Sequence, residues 1–233
     1  MNNSPLQQIL KYGYENHAFI SWPHSIEERG KKIVNELQRA LEDKMKNEIR
    51  GGGKVFLDIV HLEVGYKWEE FIPIKLCRSA VLIVILVPVY FQSDYCLIEW
   101  AITEKLQGFR LPASNSYETC FIYILLRRNN IYLPEEINKI QFNEDFSALM
   151  TYRKNFTSSS KWLRLIDELF NNIKRICESI CETGQPTDEE WKHDEDIART
   201  TSAKQFTFPV EKKKKTRPPR KERSLPQLNV EKK

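Results

Sequence analysis

Residues 80–100 read AVLIVILVPVYFQSDYCLIEW, an apolar run followed by the start of a helix. Residues 80–87 are continuously apolar, which is typical of a strand that is buried on both faces of a parallel sheet. The run is too short to span a bilayer. Beyond it, Ser93 can cap a helix through its hydroxyl, and Asp94 suits the positive end of the helix dipole. We therefore predict a strand over residues 81–87 and a helix over residues 93–107.

The predicted helix carries one carboxylate on an apolar face. At about 100° per residue, that face holds Tyr95, Glu99, Ile102, Thr103 and Leu106. Desolvation by such neighbours raises the pKa of a carboxyl group and disfavours its ionised form unless other groups compensate. Glu99 is therefore either a buried structural acid or a functional one.

Strands and helices alternate on both sides of this region. Strands are predicted over residues 17–22, 54–59, 81–87 and 119–126, with a fifth near 140–142, and helices over 26–45, 68–79, 93–107 and 161–182. The alternation predicts a doubly wound α/β fold, in which helices flank a parallel five-stranded sheet. Ligands bind outside the carboxyl ends of such strands, so we expect Ser21, Trp22, Asp58 and the Glu99 helix to meet at one edge.

Composition divides the 233-residue chain into unequal parts. We predict an N-terminal extension over residues 1–13, one domain over 14–182, a polar linker over 183–210 and a basic disordered tail over 211–233. The tail has ten Lys or Arg and three Glu, a net charge of +7, whereas the whole chain carries +4. It lacks interleaved aromatic residues, so a solvated tail is favoured over a contact with nucleic acid or an anionic membrane.

Several classes of protein are disfavoured by missing motifs. No glycine-rich fingerprint follows a strand and opens a helix, and no Ser/His/Asp or Cys/His triad is apparent. A secretory signal and a transmembrane segment are also missing, which favours a cytoplasmic protein. The five cysteines are odd in number, and Cys177 and Cys181 have no second Cys or His pair nearby, so we expect no metal site.

Three ordered pieces of the sequence resemble the Toll/interleukin-1 receptor (TIR) domain family. Residues 17–22 (HAFISW) resemble its first sequence box, and residues 55–58 (VFLD) with Leu62, Gly65 and Trp68 are similar to its second. Residues 80–87, with Tyr90, Ser93, Cys96 and Glu99, are similar to its third strand and the Ser-x-aromatic-Cys-x-x-Glu helix. The resemblance covers residues 14–182 and implies the flavodoxin-like TIR fold.

The resemblance also implies two possible functions. Enzymatic members of the family, many of them bacterial, cleave the nicotinamide glycosidic bond of NAD with the glutamate that corresponds to Glu99. This implies an NAD+ nucleosidase, a glycohydrolase or cyclase that forms ADP-ribose or a cyclic or conjugated ADP-ribose in antiviral defence signalling. NAD would be the substrate, without a further cofactor. Other members are adaptors that act through TIR–TIR contacts, and a non-enzymatic adaptor is the alternative.

Site residues follow from the same resemblance. Glu99 would be catalytic, and Ser21 would contact the ligand. Trp22 and Tyr95 would offer flat surfaces to the nicotinamide or adenine ring, unless they are ordinary core aromatics. Asp58 would serve the substrate site chiefly by bracing the adjoining loop. That loop, residues 59–67, is expected to pack on the next subunit, so that self-association or an effector or sensor protein would control activity.

Overall fold

Four parallel strands form the sheet in the part of the chain that the structure describes. The structure, a computed structural model, describes residues 4–57, 68–111, 118–126, 146–151 and 155–201. The strands are β1 (Asn16–Ser21), β2 (Val55–Leu57), β3 (Ser79–Leu86) and β4 (Phe121–Leu125), in the order β2-β1-β3-β4. The predicted parallel α/β architecture is confirmed. The fifth strand, expected near residues 140–142, lies outside the described residues.

Six α-helices of the described residues surround the sheet. They are α1 (Pro5–Lys11), α2 (Glu28–Lys46), α3 (Trp68–Cys77), α4 (Asp94–Arg110), α5 (Ser160–Thr183) and α6 (Asp188–Thr200). Short 3-10 helices occur at Tyr90–Gln92, Ser147–Met150 and Phe156–Ser158. None of the helices in the described part of the chain has the length and apolar content needed to cross a membrane.

The helices pack on both faces of the sheet, as a doubly wound fold requires. The first crossover leads from β1 to β2, and its helix α2 lies with α1 and α5 on one face. The next two crossovers run in the opposite direction, and α3 and α4 pack with α6 on the other face. Right-handed crossovers place helices on opposite faces whenever the direction along the sheet reverses.

The centre of the sheet is β3, which lies between β1 and β4 with Ile83 paired to Ile20 and to Ile122. All eight residues of β3 are at most 2% exposed. This burial explains why residues 80–87 are apolar without alternation, since both faces of the strand are covered by helices.

The outer side of β2 is covered by side chains of α2. The backbone N–H of Val55 donates to Oε1 of Glu42 at 3.1 Å, and its carbonyl accepts from Nε2 of Gln38 at 2.9 Å. Gln38 and Glu42 are one helical turn apart, so one face of α2 satisfies both backbone groups of Val55.

The predicted N-terminal extension is part of the packed structure. Leu6 and Ile9 of α1 are fully buried, and α1 packs against α5. His17 connects α1 to the sheet: its Nδ1 accepts from the Lys54 N–H at 3.1 Å, so its Nε2 donates to the Leu6 carbonyl at 2.9 Å. The acceptor role of Nδ1 requires a neutral ring, and burial lowers the pKa of His17.

The predicted polar linker is wrong for residues 188–200, because they form α6. The helix begins with a capping box in which Thr187 and Glu190 bond reciprocally. Trp191 is only 6% exposed: its ring meets the ring of Tyr14 edge-on at 4.9 Å, and its Nε1 donates to the Tyr12 carbonyl at 3.3 Å. Trp191 thus anchors a helix that is otherwise rich in acidic residues, and an ion pair between Arg78 and Glu195 at 2.7 Å adds to the contact. Residues 211–233, the predicted tail, lie outside the described residues.

Candidate active site

A pocket of about 510 Å³ opens at the carboxyl ends of β1 and β3. The chain after β1 and the chain after β3 supply its nine described lining residues: Trp22, His24, Ser25, Val89, Gln92, Ser93, Asp94, Tyr95 and Glu99. These strands are neighbours, but β1 leads to α2 on one face whereas β3 leads to α4 on the other. The connections diverge at this point, and such a divergence creates the crevice in which doubly wound folds bind ligands.

The first turn of α4 forms one wall of the pocket. Ser93 is its N-cap, and the Ser93 hydroxyl accepts from the backbone N–H of Cys96 at 3.5 Å. Asp94 follows in the first turn, next to the positive end of the helix dipole. The predicted capping of this helix is confirmed, and the helix extends to Arg110, three residues beyond the predicted end.

Glu99 lines the pocket although it is only 4% exposed. Ile102, Thr103 and Leu106 on the same helix face are also buried, as the helical spacing predicts. A carboxylate in this position is shielded from bulk water and still reaches a ligand-sized cavity. It can therefore act on a developing positive charge with little solvent screening.

Two aromatic residues predicted for the site also line the pocket, but they differ in accessibility. Tyr95 is 49% exposed, so its ring is available to a flat ligand. Trp22 is 2% exposed and contributes mainly as a wall, with the ring of His24 5.3 Å from its own ring. The structure thus joins Trp22, Tyr95 and Glu99 at one cavity.

Ser21 lies beneath the pocket and is not one of its lining residues. Its side chain is fully buried, and its Oγ is 2.8 Å from the hydroxyl oxygen of Tyr90. The Tyr90 hydroxyl also donates to the carbonyl of Cys96 at 3.4 Å. Burial raises the pKa of Tyr90 well above its ordinary value, with Cys96 and Glu99 adding to the rise, so the hydroxyl stays protonated. The hydrogen bond from Ser21 lowers the pKa of Tyr90, but it does not outweigh the effect of burial.

Asp58, the remaining predicted site residue, lies outside the described residues, as does the loop over residues 59–67. His24 and Gln92 also line the pocket, although neither was predicted as a site residue. The available signal was their position just after β1 and β3, where the carboxyl-edge rule places ligand contacts.

Acidic side chains outnumber basic ones among the described residues that line the pocket. Asp94 and Glu99 are the acidic ones, and His24 is the one that can become cationic. Such a lining favours a ligand with a cationic portion near α4.

The described cysteines are poorly suited to nucleophilic chemistry. Burial raises the pKa of Cys77 and of Cys120 to about 11, so both remain thiols at neutral pH. In the part of the chain that the structure describes, no three His, Cys, Asp or Glu side chains are grouped so that they could hold a metal ion.

Comparison with known proteins identifies a family whose sequence model covers this pocket. A family model described as "TIR domain" matches residues 19–156, which is more than half of the chain and includes all nine pocket residues. A comparison with curated proteins gave no match.

Proposed function

Because the chain belongs to the TIR domain family, we propose that it cleaves NAD between nicotinamide and ribose, with Glu99 as the catalytic residue. The observation that carries this proposal is the nearly buried Glu99 carboxylate at a pocket on the switch point of the sheet. An adaptor that works only through surface contacts has no need of an acid there.

The chemistry requires one carboxylate near the ribose, and the buried Glu99 can supply it. Nicotinamide in NAD is a cationic leaving group, so the electron pair of the breaking C1′–N bond neutralises its ring and no general acid is needed. Positive charge then develops on the ribose, and the Glu99 carboxylate stabilises it electrostatically. Water can capture the ribosyl cation and release a proton to give ADP-ribose. A hydroxyl of the same molecule can do so instead and give a cyclic product.

The aromatic residues and the acidic side chains of the pocket support an orientation of NAD with its nicotinamide next to Glu99. Tyr95 offers an accessible ring beside Glu99, and aromatic faces attract cationic rings. The two carboxylates favour the nicotinamide end of the substrate over its pyrophosphate.

The test is NAD turnover by the full chain, with products resolved by chromatography. Glu99→Gln keeps the size of the side chain and removes its charge, and we expect it to lower kcat on the order of 100-fold or more. Glu104→Gln is the matched control, because Glu104 is exposed on the same helix and does not line the pocket. Equal turnover by Glu99→Gln and the unmodified chain would refute the role of Glu99. No turnover in any self-associated state would favour the adaptor.

The proposal includes self-association and a part in antiviral defence signalling, as the family resemblance implies. Sedimentation velocity alongside the NAD assay tests the first point: full activity in a strictly monomeric sample would remove the requirement for assembly.

A further inference from the structure

Three buried groups form a connection underneath the pocket. Ser21 ends β1, Tyr90 lies in the 3-10 helix after β3, and Cys96 lies in the first turns of α4. The Oγ of Ser21 lies 2.8 Å from the hydroxyl oxygen of Tyr90, which lies 3.4 Å from the carbonyl oxygen of Cys96. Ser21 and Tyr90 are fully buried, so water does not compete for these bonds.

The direction of the two hydrogen bonds follows from their donors. The Cys96 carbonyl can only accept, so the single hydroxyl proton of Tyr90 is donated to it. Ser21 must then donate its own hydroxyl proton to the Tyr90 oxygen if both bonds are to form. Ser21 therefore donates to Tyr90, and Tyr90 donates to the backbone of α4.

Each end of this connection is next to a wall of the pocket. Trp22 directly follows Ser21, and Glu99 is three residues, close to one helical turn, after Cys96. The connection thus spans the point where the chains after β1 and β3 diverge, and it fixes the start of α4 relative to the end of β1.

We propose that Tyr90 is a positioning residue that holds Glu99 at its working place in the pocket through the bonds to Ser21 and to the Cys96 carbonyl. The inference rests on the proposed function and adds a role for two residues that do not line the pocket. Tyr90 is packed against Phe91 and Trp100, with ring distances of 5.3 and 6.4 Å, so the ring itself remains anchored when the hydroxyl is removed.

The expected effect is a loss of rate with little loss of substrate binding. A displacement of about 1 Å can lower a rate on the order of 100-fold, and loss of the hydroxyl should permit a smaller shift of α4. We therefore expect Tyr90→Phe to lower kcat about 10-fold and to change KM less than about 2-fold. Ser21→Ala breaks only the first bond and should lower kcat by less.

The decisive experiment is a double-mutant cycle on kcat with Glu99→Asp, whose carboxylate is already withdrawn by one methylene. If Tyr90 acts by placing that carboxylate, Tyr90→Phe lowers kcat by a smaller factor in the Glu99→Asp background than in the unmodified chain. Equal factors in both backgrounds would overturn the proposal, because a general loss of structure acts independently of the glutamate.

Two controls keep the failures separate. Tyr14→Phe removes a hydroxyl from another buried tyrosine, which precedes β1 at the opposite edge of the sheet, and it should leave kcat within about 2-fold. If Tyr90→Phe does not fold, as judged by circular dichroism, Ser21→Ala replaces it in the cycle.

An unmodified chain without NAD turnover refutes the proposed function and this inference with it. An active chain in which Tyr90→Phe keeps full kcat refutes the inference alone. A Ser21→Ala effect confined to KM would instead assign Ser21 to substrate contact.

Discussion

Replacing Trp191 by alanine tests whether α6 is an integral part of the domain. The side chain is 6% exposed, so nearly all of its area is removed from water on folding. A tryptophan buries about 150–250 Å², which corresponds to about 4–6 kcal/mol at 25 cal/mol per Å². Residual burial in the unfolded chain lowers this figure, and buried Trp→Ala changes fall in the range of about 3–5 kcal/mol. We therefore expect Trp191→Ala to lower the free energy of unfolding by about 4 kcal/mol.

Urea denaturation followed by far-ultraviolet circular dichroism measures this loss without relying on tryptophan fluorescence. The melting temperature should fall by roughly 10 °C for a domain of this size. Lys192→Ala is the matched control in the same helix: Lys192 is exposed, and its replacement should change stability by less than about 0.5 kcal/mol. A loss below about 1 kcal/mol in Trp191→Ala would contradict the docking of α6 and restore the view of residues 183–210 as a linker.

Three further predictions concern stability elsewhere in the fold. Burial lowers the pKa of His17, so below about pH 6.5 the unfolded chain binds a proton at this residue more readily than the folded protein does. The free energy of unfolding should therefore fall from pH 7 to pH 5. The midpoint of urea denaturation should fall less steeply with pH in His17→Gln than in the unmodified chain. A Cβ at Gly53 would lie 2.3 Å from the Cβ of Met45, so Gly53→Ala should lower stability by about 1–3 kcal/mol in thermal melts. Gly108 in α4 has no heavy atom within 4 Å of such a Cβ, so Gly108→Ala should raise the free energy of unfolding by about 0.5–1 kcal/mol. A gain in stability in Gly53→Ala, or a loss in Gly108→Ala, would contradict the packing described.

The central elements could be predicted because their signals are local. The uninterrupted apolar run at residues 80–87 indicates a strand covered on both faces, and Ser93 with Asp94 marks the start of α4. The face that holds Glu99, Ile102 and Leu106 follows from helical spacing alone. Together with the carboxyl-edge rule, these signals are enough to bring Trp22, Tyr95 and Glu99 to one pocket.

Other features depend on contacts between distant residues and could not be predicted in this way. Helix α6 has few apolar positions, and its docking requires Trp191 to meet Tyr12 and Tyr14 from the opposite end of the chain. The Thr187–Glu190 capping box was nevertheless a readable sign of a helix start, and the acidic composition of residues 188–196 obscured it.

The burial of a polar side chain also depends on the folded structure. Ser21 occurs at the predicted edge of the sheet, but the sequence does not show whether a strand-end hydroxyl points to a ligand or inward. The partner that draws it inward is Tyr90, 69 residues away. A pairing over that separation depends on the packing of the folded chain.

The side chains of Gln38 and Glu42 have a consequence for assembly. An exposed edge strand is a template on which a foreign strand can pair, and such pairing leads to sheet extension and fibrils. At Val55 the outward N–H and carbonyl are already bonded to α2, so an incoming strand would have to displace both side chains before it could pair there. This position of β2 therefore resists amyloid-like growth by strand addition.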